Sequence, residues 1–261
     1  MSSVSLTMRD SSTMLRRNLL HARRYPSLTL NLLLTPVMLL LLFVYIFGDA
    51  MSAGIGGGNR SDYIAYIVPG ILLMTIGSTT IGTAVSVSTD MTEGIIARFR
   101  TMAIHRQSVL IGHVAGSVLQ CVMSVVLVGA VGVAIGFRST DATAMEWLAA
   151  FGLLALFALA LTWIAVGMGL VSPNAEAASN NAMPLIFLPL ISSAFVPVDA
   201  MPGWFQPIAE YQPFTPAIET LRGLLLGTEI GHNGWLAVGW CLGLTVLGYR
   251  WSKAQFDRDA E

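Results

Sequence analysis

Six long stretches of this chain contain no Asp, Glu, Lys or Arg, and they constrain the fold more than any other feature of the sequence. They are residues 25–48, 63–89, 107–137, 147–175, 177–198 and 230–249. Each is long enough for a helix, rising 1.5 Å per residue, to cross the roughly 30 Å hydrocarbon core of a bilayer. Only 11% of the 261 residues are charged, against about 25% in a soluble domain. The sequence therefore predicts an all-α polytopic membrane protein with a single transmembrane domain over residues 1–261.

Apolar length, interrupted by charged residues and by Pro and Gly, predicts six membrane helices. They lie near 28–47, 64–86, 110–135, 148–171, 180–198 and 234–249. Pro184 and Pro189 each remove a backbone hydrogen bond from the fifth helix, so we expect it to bend. The apolar segment 200–229 contains four prolines, and we expect it to form two short re-entrant helices on the outer side.

The basic residues predict the orientation, since positively charged loops are retained in the cytoplasm. With both termini inside, 11 of the 14 Lys and Arg residues lie on the inner side. We therefore expect a multi-pass protein with both termini cytoplasmic. The net charge of -1 gives no general attraction for nucleic acid, so none is expected as a partner.

Two inner segments are amphipathic. Residues 11–25 predict a helix lying in the membrane interface with its arginines against lipid phosphates, although a plain retention anchor needs the same charges. Those arginines are Arg16, Arg17, Arg23 and Arg24.

The pattern of residues 90–106 predicts a short helix between the second and third spans, because acidic residues begin it and basic residues end it. It either docks on a soluble partner or is a solvated loop. Its charged residues are Asp90, Glu93, Arg98, Arg100 and Arg106.

The second predicted span carries hydroxyl side chains at spacings of four, four and three residues, which places them on one helix face. They are Thr75, Thr79, Thr83 and Ser86. Such a stripe could line a translocation path, but small hydroxyl residues also hold membrane helices together. The glycine pairs Gly132/Gly136 and Gly239/Gly243 are further candidates for close helix packing.

The spacing of the lysine, histidine and serine residues in the sequence predicts neither a catalytic site nor a metal site. The single lysine, Lys253, follows Ser252 and not the glycine of a P-loop. The four histidines are scattered, and His113 with Ser117 lacks the orienting third group that a nucleophile and base need. No Asp, Glu, Lys or Arg lies within a predicted span, which disfavours a carrier driven by an intramembrane carboxylate. Energy for any transport is therefore expected from outside the chain.

The elements taken together resemble the membrane subunits of type-2 ATP-binding-cassette exporters, and most closely the daunorubicin-resistance-type efflux permeases of actinobacteria. The resemblance is carried by YIVPGILLM, MTEGIIARFRTMAIHRQ and QPFTPAIETLRGLLLG, in the same order as in the family. It covers nearly the whole chain. Two positions depart from the pattern: Ala103 stands where proline often follows the inner helix, and Gln212 stands where asparagine often precedes the Pro213-Phe214-Thr215 turn.

This resemblance implies a bacterial cell-membrane permease that exports drugs or antibiotics and has no catalytic residues or bound cofactor of its own. ATP and Mg²⁺ would be bound by a separate ATPase subunit docked on the inner helix, Asp90 to Arg100, with Glu176 matching an acidic position before the fifth span. It also implies a dimer with a second copy or a related permease. The hydroxyl stripe, Phe187 and Phe195 are the pathway candidates.

Two alternatives remain open on the sequence. The same architecture could serve as a permease for a lipid or glycan precursor, although the hydroxyl and aliphatic residues of the predicted lining favour drugs or lipids. A stand-alone small-molecule channel or carrier would need no ATPase.

Overall fold

The computed structural model describes residues 26–48, 59–92, 106–139 and 142–258, and every regular element in these ranges is helical. The α-helices are α1 Pro26–Leu42, α2 Arg60–Thr92, α3 Arg106–Ala134, α4 Ala144–Leu170, α5 Ala175–Ala182, α6 Pro184–Phe187, α7 Gln206–Tyr211, α8 Phe214–Leu226 and α9 Asn233–Arg258. A π-helical turn, Phe43–Phe47, continues α1, and 3-10 turns occupy Leu188–Ile191 and Val198–Ala200.

Three helices of the described chain are long and apolar enough to cross a membrane, namely α2, α3 and α4. Helix α2 is central. Of its most apolar 18-residue stretch, 83% is buried, and the helix packs against α1, α3, α4, α5 and α8. Helix α4 begins with a capping box, in which Thr143 and Glu146 satisfy each other's backbone N–H groups. The predicted all-α fold is therefore confirmed for the described residues, and the count of six spans stays a prediction.

Helix α2 extends past the predicted limit of residue 86 and ends at Thr92. Hydroxyls in its last turns donate back to the helix, Thr89 to the Val85 carbonyl (2.9 Å) and Thr92 to the Ser88 carbonyl (3.0 Å). Asp90 therefore belongs to the last turn of α2, and the prediction that it begins a separate inner helix is wrong. Arg106 likewise is the first residue of α3.

The fifth predicted span, 180–198, is not one continuous helix. The chain is helical from Ala175, breaks at Met183 and tightens into a 3-10 turn at Leu188. Pro184 and Pro189 supply no N–H at these points, which accounts for both interruptions of the helix. Because α5 begins at Ala175, Glu176 lies in its first turn and not in a loop.

Glycines set the closest approaches between helices. A Cβ at Gly77 of α2 would overlap the Leu185 carbonyl oxygen, and one at Gly70 would lie 2.7 Å from the Ala194 Cβ. The backbone after α5 therefore lies directly against α2. Gly239 and Gly243 have no neighbour within 4 Å of their Cβ positions. The predicted close packing of this pair is therefore absent from the described protomer.

Candidate functional site

Many of the predicted coupling residues lie outside the described residues. These are the interfacial arginines Arg16, Arg17, Arg23 and Arg24, and Glu93, Arg98 and Arg100 of the inner segment. The structure does describe the two helices that enclose residues 93–105. We call this part of the molecule the Asp90 end, and the opposite end of α2, near Tyr66, the Arg222 end.

At the Asp90 end a buried pair joins α2 to α3. His113 Nε2 lies 3.0 Å from Asp90 Oδ2, and the two side chains are only 6% and 10% exposed, respectively. Asp90 is therefore directed into the bundle and not onto an exposed docking surface. The pair fixes the distance between the two helices from which the inner segment emerges.

Polar contacts extend the Asp90 end to α4 and α5. The Ser88 hydroxyl donates to the Ser172 carbonyl (3.3 Å), and Asn181 Nδ2 donates to the Ser172 hydroxyl (2.9 Å). Helix α5 is capped by Asn174, whose Oδ1 accepts from the Ala177 N–H (2.8 Å). Glu176 is exposed beside this cap. These contacts join the end of α2 to the segment after α4 and to α5.

The Arg222 end contains a buried cation within the segment 200–229, which the sequence predicts to be re-entrant. Arg222 is 5% exposed. Its Nε and Nη2 donate to the Tyr66 carbonyl (3.1 and 3.0 Å), Nη2 donates to the Ser193 carbonyl (2.7 Å), and Nη1 contacts Glu219 Oε1 (2.5 Å). The guanidinium carbon also lies 3.6 Å from the Tyr66 ring centroid. Because a buried charge is tolerated only when it is paired and hydrogen-bonded, this set of contacts accounts for its position.

Arg222 connects three segments that are far apart in the sequence. It lies on α8, Tyr66 lies in the second turn of α2, and Ser193 follows the broken helices α5 and α6. The Tyr66 hydroxyl closes the arrangement by donating to the Ser193 carbonyl (2.9 Å). A signal for this role exists in the sequence, since Arg222 stands within the apolar stretch Phe214–Leu226 with Glu219 three residues before it.

The predicted pathway residues are distributed between buried and exposed positions. Thr75, Thr79 and Thr83 are at most 5% exposed, and Thr75 and Thr79 donate to the carbonyls four residues earlier in their own helix (2.7 Å each). These contacts fit the packing interpretation in this conformation. Ser86 is exposed. The pathway role of the stripe stays a prediction.

The two predicted pathway aromatics also differ in environment. Phe187 is 56% exposed, whereas Phe195 is 8% exposed and contacts Phe43 with a ring-centroid distance of 4.6 Å. The structure therefore does not bring the two phenylalanines together into one site.

Comparison with known proteins identifies the family. The family model described as "ABC-2 type transporter" matches residues 10–226. The chain belongs to the ABC-2 type transporter family. The matched region includes both ends of α2, the enclosed inner segment and the whole of α8, so the resemblance drawn from the sequence is confirmed.

Relatives of this ABC-2 protein include named resistance permeases. The daunorubicin resistance ABC transporter permease protein DrrB1 of Streptomyces coeruleorubidus is 30% identical over 220 residues, 83% of this chain and 75% of the relative. The probable doxorubicin resistance ABC transporter permease protein DrrC of Mycobacterium tuberculosis is 24% identical, over 70% of this chain and 69% of the relative. Nodulation protein J of Rhizobium meliloti is 24% identical, over 73% of each.

Proposed function

We propose that this chain is the permease subunit of an ABC exporter that moves drugs, antibiotics or similar lipophilic compounds out of a bacterial cell. The observation that carries the proposal is the family match over residues 10–226, together with relatives named as drug-resistance permeases. The three long apolar helices support a membrane location. In this proposal the chain crosses the membrane six times, with both termini in the cytoplasm and the Arg222 end outside.

ATP binding and hydrolysis belong to a separate ATPase subunit that also holds Mg²⁺. We assign its docking to the segment enclosed by α2 and α3, with Glu93, Arg98 and Arg100 making the contacts and exposed Glu176 beside them. The contacts of the Asp90 end support this assignment, since a movement of the docking segment reaches the bundle only through helices that contact it. A movement of the ATPase would then turn α2, which runs to the Arg222 end.

The docking assignment is tested by charge reversal in a reconstituted complex of permease and ATPase. We expect Glu93→Lys or Arg98→Glu to lower substrate-stimulated ATPase activity about tenfold or more, which corresponds to about 1.4 kcal/mol of lost interaction. Glu229→Lys is the matched control, because Glu229 is exposed near the Arg222 end. Unchanged activity in both test variants would sink the docking role.

The working unit in this proposal is a dimer with a second copy of the chain or a related permease. Its supporting feature is an apolar surface on α1 and the segment after α5, which meet where Phe43 contacts Phe195. The outward faces of these elements are exposed, with Met38 at 55%, Ile46 at 69% and Phe187 at 56%.

Cysteine crosslinking tests this contact in a background in which Cys121 and Cys241 are replaced by alanine. We expect Ile46→Cys or Phe187→Cys to crosslink two copies in membranes. Leu247→Cys, 64% exposed on α9, is the control that should stay monomeric. Crosslinking of the control alone would contradict the assigned surface.

Transport itself is tested by ATP-dependent accumulation of daunorubicin in inverted vesicles that contain the complex. A hydrolysis-deficient ATPase is the control, because hydrophobic compounds partition into membranes without transport. Accumulation without any ATPase would support a channel or carrier instead. Stimulation of the ATPase by a lipid or glycan precursor, and not by lipophilic drugs, would favour the alternative permease function.

A further inference from the structure

A laterally open crevice separates α3 from α4 on the side of the Arg222 end. It consists of two adjoining cavities of about 230 and 290 Å³, and both are lined by Val125, Phe151 and Leu154. The residues of the lining are apolar or aromatic apart from the buried Cys121, so the crevice offers water few hydrogen-bond partners.

Small residues keep the crevice open. A Cβ at Gly129 of α3 would contact only Leu72, at 3.8 Å, and one at Gly152 of α4 would contact nothing within 4 Å. The rim is exposed, with Val126 at 50% and Val133 at 46%. In a bilayer such a rim faces lipid tails, and the space behind it is accessible to a hydrocarbon chain.

A fixed cation lies at one mouth of this crevice. Beyond the end of α3, Gly136, whose φ is 118°, turns the chain so that the Phe137 N–H donates to the Gly132 carbonyl (2.9 Å). Arg138 follows directly. Its Nη1 donates to the carbonyls of Val133 (2.8 Å) and Phe137 (3.0 Å), two residues that line the crevice. The guanidinium is exposed, and its Nε and Nη2 donate to no described residue.

We propose that this crevice binds one acyl chain of an anionic phospholipid whose phosphate is held by Arg138. The apolar lining matches the chain, and the guanidinium matches the phosphate in charge and in paired N–H donors. A neutral lipophilic compound would fill the crevice and leave the cation without a counter-charge. The lipid would thereby wedge α3 and α4 at a fixed separation, beside the central helix α2.

The test uses a phosphatidylglycerol with a photoreactive diazirine in its acyl chain, in nanodiscs that contain the full-length protein. We expect labelled peptides from α3 and α4, and competition by phosphatidylglycerol that is several-fold stronger than competition by phosphatidylcholine. Gly129→Leu fills the crevice and should lower labelling about tenfold, an effect of about 1.4 kcal/mol. Gly243→Leu, also at an open position, is the matched control and should retain wild-type labelling.

Arg138→Gln tests the contact with the phosphate separately from the contact with the acyl chain, because it leaves the lining of the crevice unchanged. We expect it to remove the preference for phosphatidylglycerol, and Arg138→Lys to restore part of it. Labelling that is insensitive to Gly129→Leu would overturn the proposal, as would equal competition by both lipids in the wild-type protein. Displacement of the label by daunorubicin at concentrations at which phosphatidylglycerol does not compete would also overturn it, since the crevice would then be a site for export substrates.

Discussion

The two ends of α2 both contain a buried charged residue, but they use it differently. At the Arg222 end one guanidinium contacts two backbone carbonyls, a carboxylate and an aromatic ring, and so joins α2, α8 and the segment after α6. At the Asp90 end a carboxylate and a histidine form one pair between α2 and α3. The contacts of Arg222 therefore form a cap of several segments, whereas the Asp90–His113 pair is a joint between two helices.

This difference suggests how one helix can serve a transport cycle. A guanidinium that bonds backbone carbonyls cannot shift without losing several charge-assisted hydrogen bonds together. A contact between two side chains leaves α2 and α3 more freedom to move relative to each other than backbone contacts leave the segments of the cap. The joint lies beside the segment to which we assign the ATPase, where movement would have to begin.

The largest expected effect comes from removing the cation of the cap. Arg222→Met removes the donors that Arg222 supplies to Glu219 and to the carbonyls of Tyr66 and Ser193, so we expect a loss of about 3–5 kcal/mol of stability. Denaturant unfolding in detergent, followed by tryptophan fluorescence, measures it. Arg258→Gln, at an exposed arginine, should stay within about 0.5 kcal/mol of wild type. Equal stability of the two variants would show that the cap does not hold the three segments together.

The joint should be weaker, and a double-mutant cycle isolates it. We expect Asp90→Asn and His113→Gln to show a coupling of roughly 1–3 kcal/mol, because the two side chains are buried in direct contact. The cycle uses the same unfolding measurement for both single variants and the double variant. Additive losses would mean that the pair contributes no energy of its own, and the comparison between the ends would fail.

The helices could be predicted from the sequence, but the contacts of Arg222 and Asp90 could not. Uncharged length predicted α2, α3 and α4, because the transfer of a segment into lipid depends on its own composition. Arg222 bonds a residue 156 positions away, and Asp90 bonds a residue in the next helix. Without the fold, both residues could only be assigned to predicted segments outside the spans.

Glycine positions show the same limit for helix packing. The spacing of Gly239 and Gly243 is typical of a close-packing motif, yet the described protomer places nothing against them. Gly70 and Gly77 do lie in close contacts, at a spacing of seven. Which face of a helix meets a neighbour depends on its rotation in the bundle, and residue spacing alone does not fix that rotation.

Between the cap and the joint, in the middle of α2, Gly77 lies in close contact with the backbone of Leu185. Gly77→Ala places a Cβ against the Leu185 carbonyl, so we expect a loss of about 1–3 kcal/mol. Gly243→Ala is the matched change at an open position, where alanine should be neutral or stabilise the helix by up to about 1 kcal/mol. Thermal unfolding of the two variants, side by side, measures the difference. A loss confined to Gly243→Ala would instead indicate that α9 packs against a partner in the membrane.

The smallest expected effect concerns the hydroxyl stripe, which lies between the cap and the joint. Thr79 donates to its own helix and is 2% exposed, so Thr79→Val should change stability by less than about 1 kcal/mol. Thr245→Val is its control, because Thr245 of α9 donates in the same way to the carbonyl four residues earlier (2.7 Å) and lies outside the stripe. Both variants are then assayed for ATP-dependent drug accumulation. If Thr79→Val lowers transport while stability is unchanged, the stripe becomes accessible in another conformation, and α2 must rotate between its two ends during the cycle.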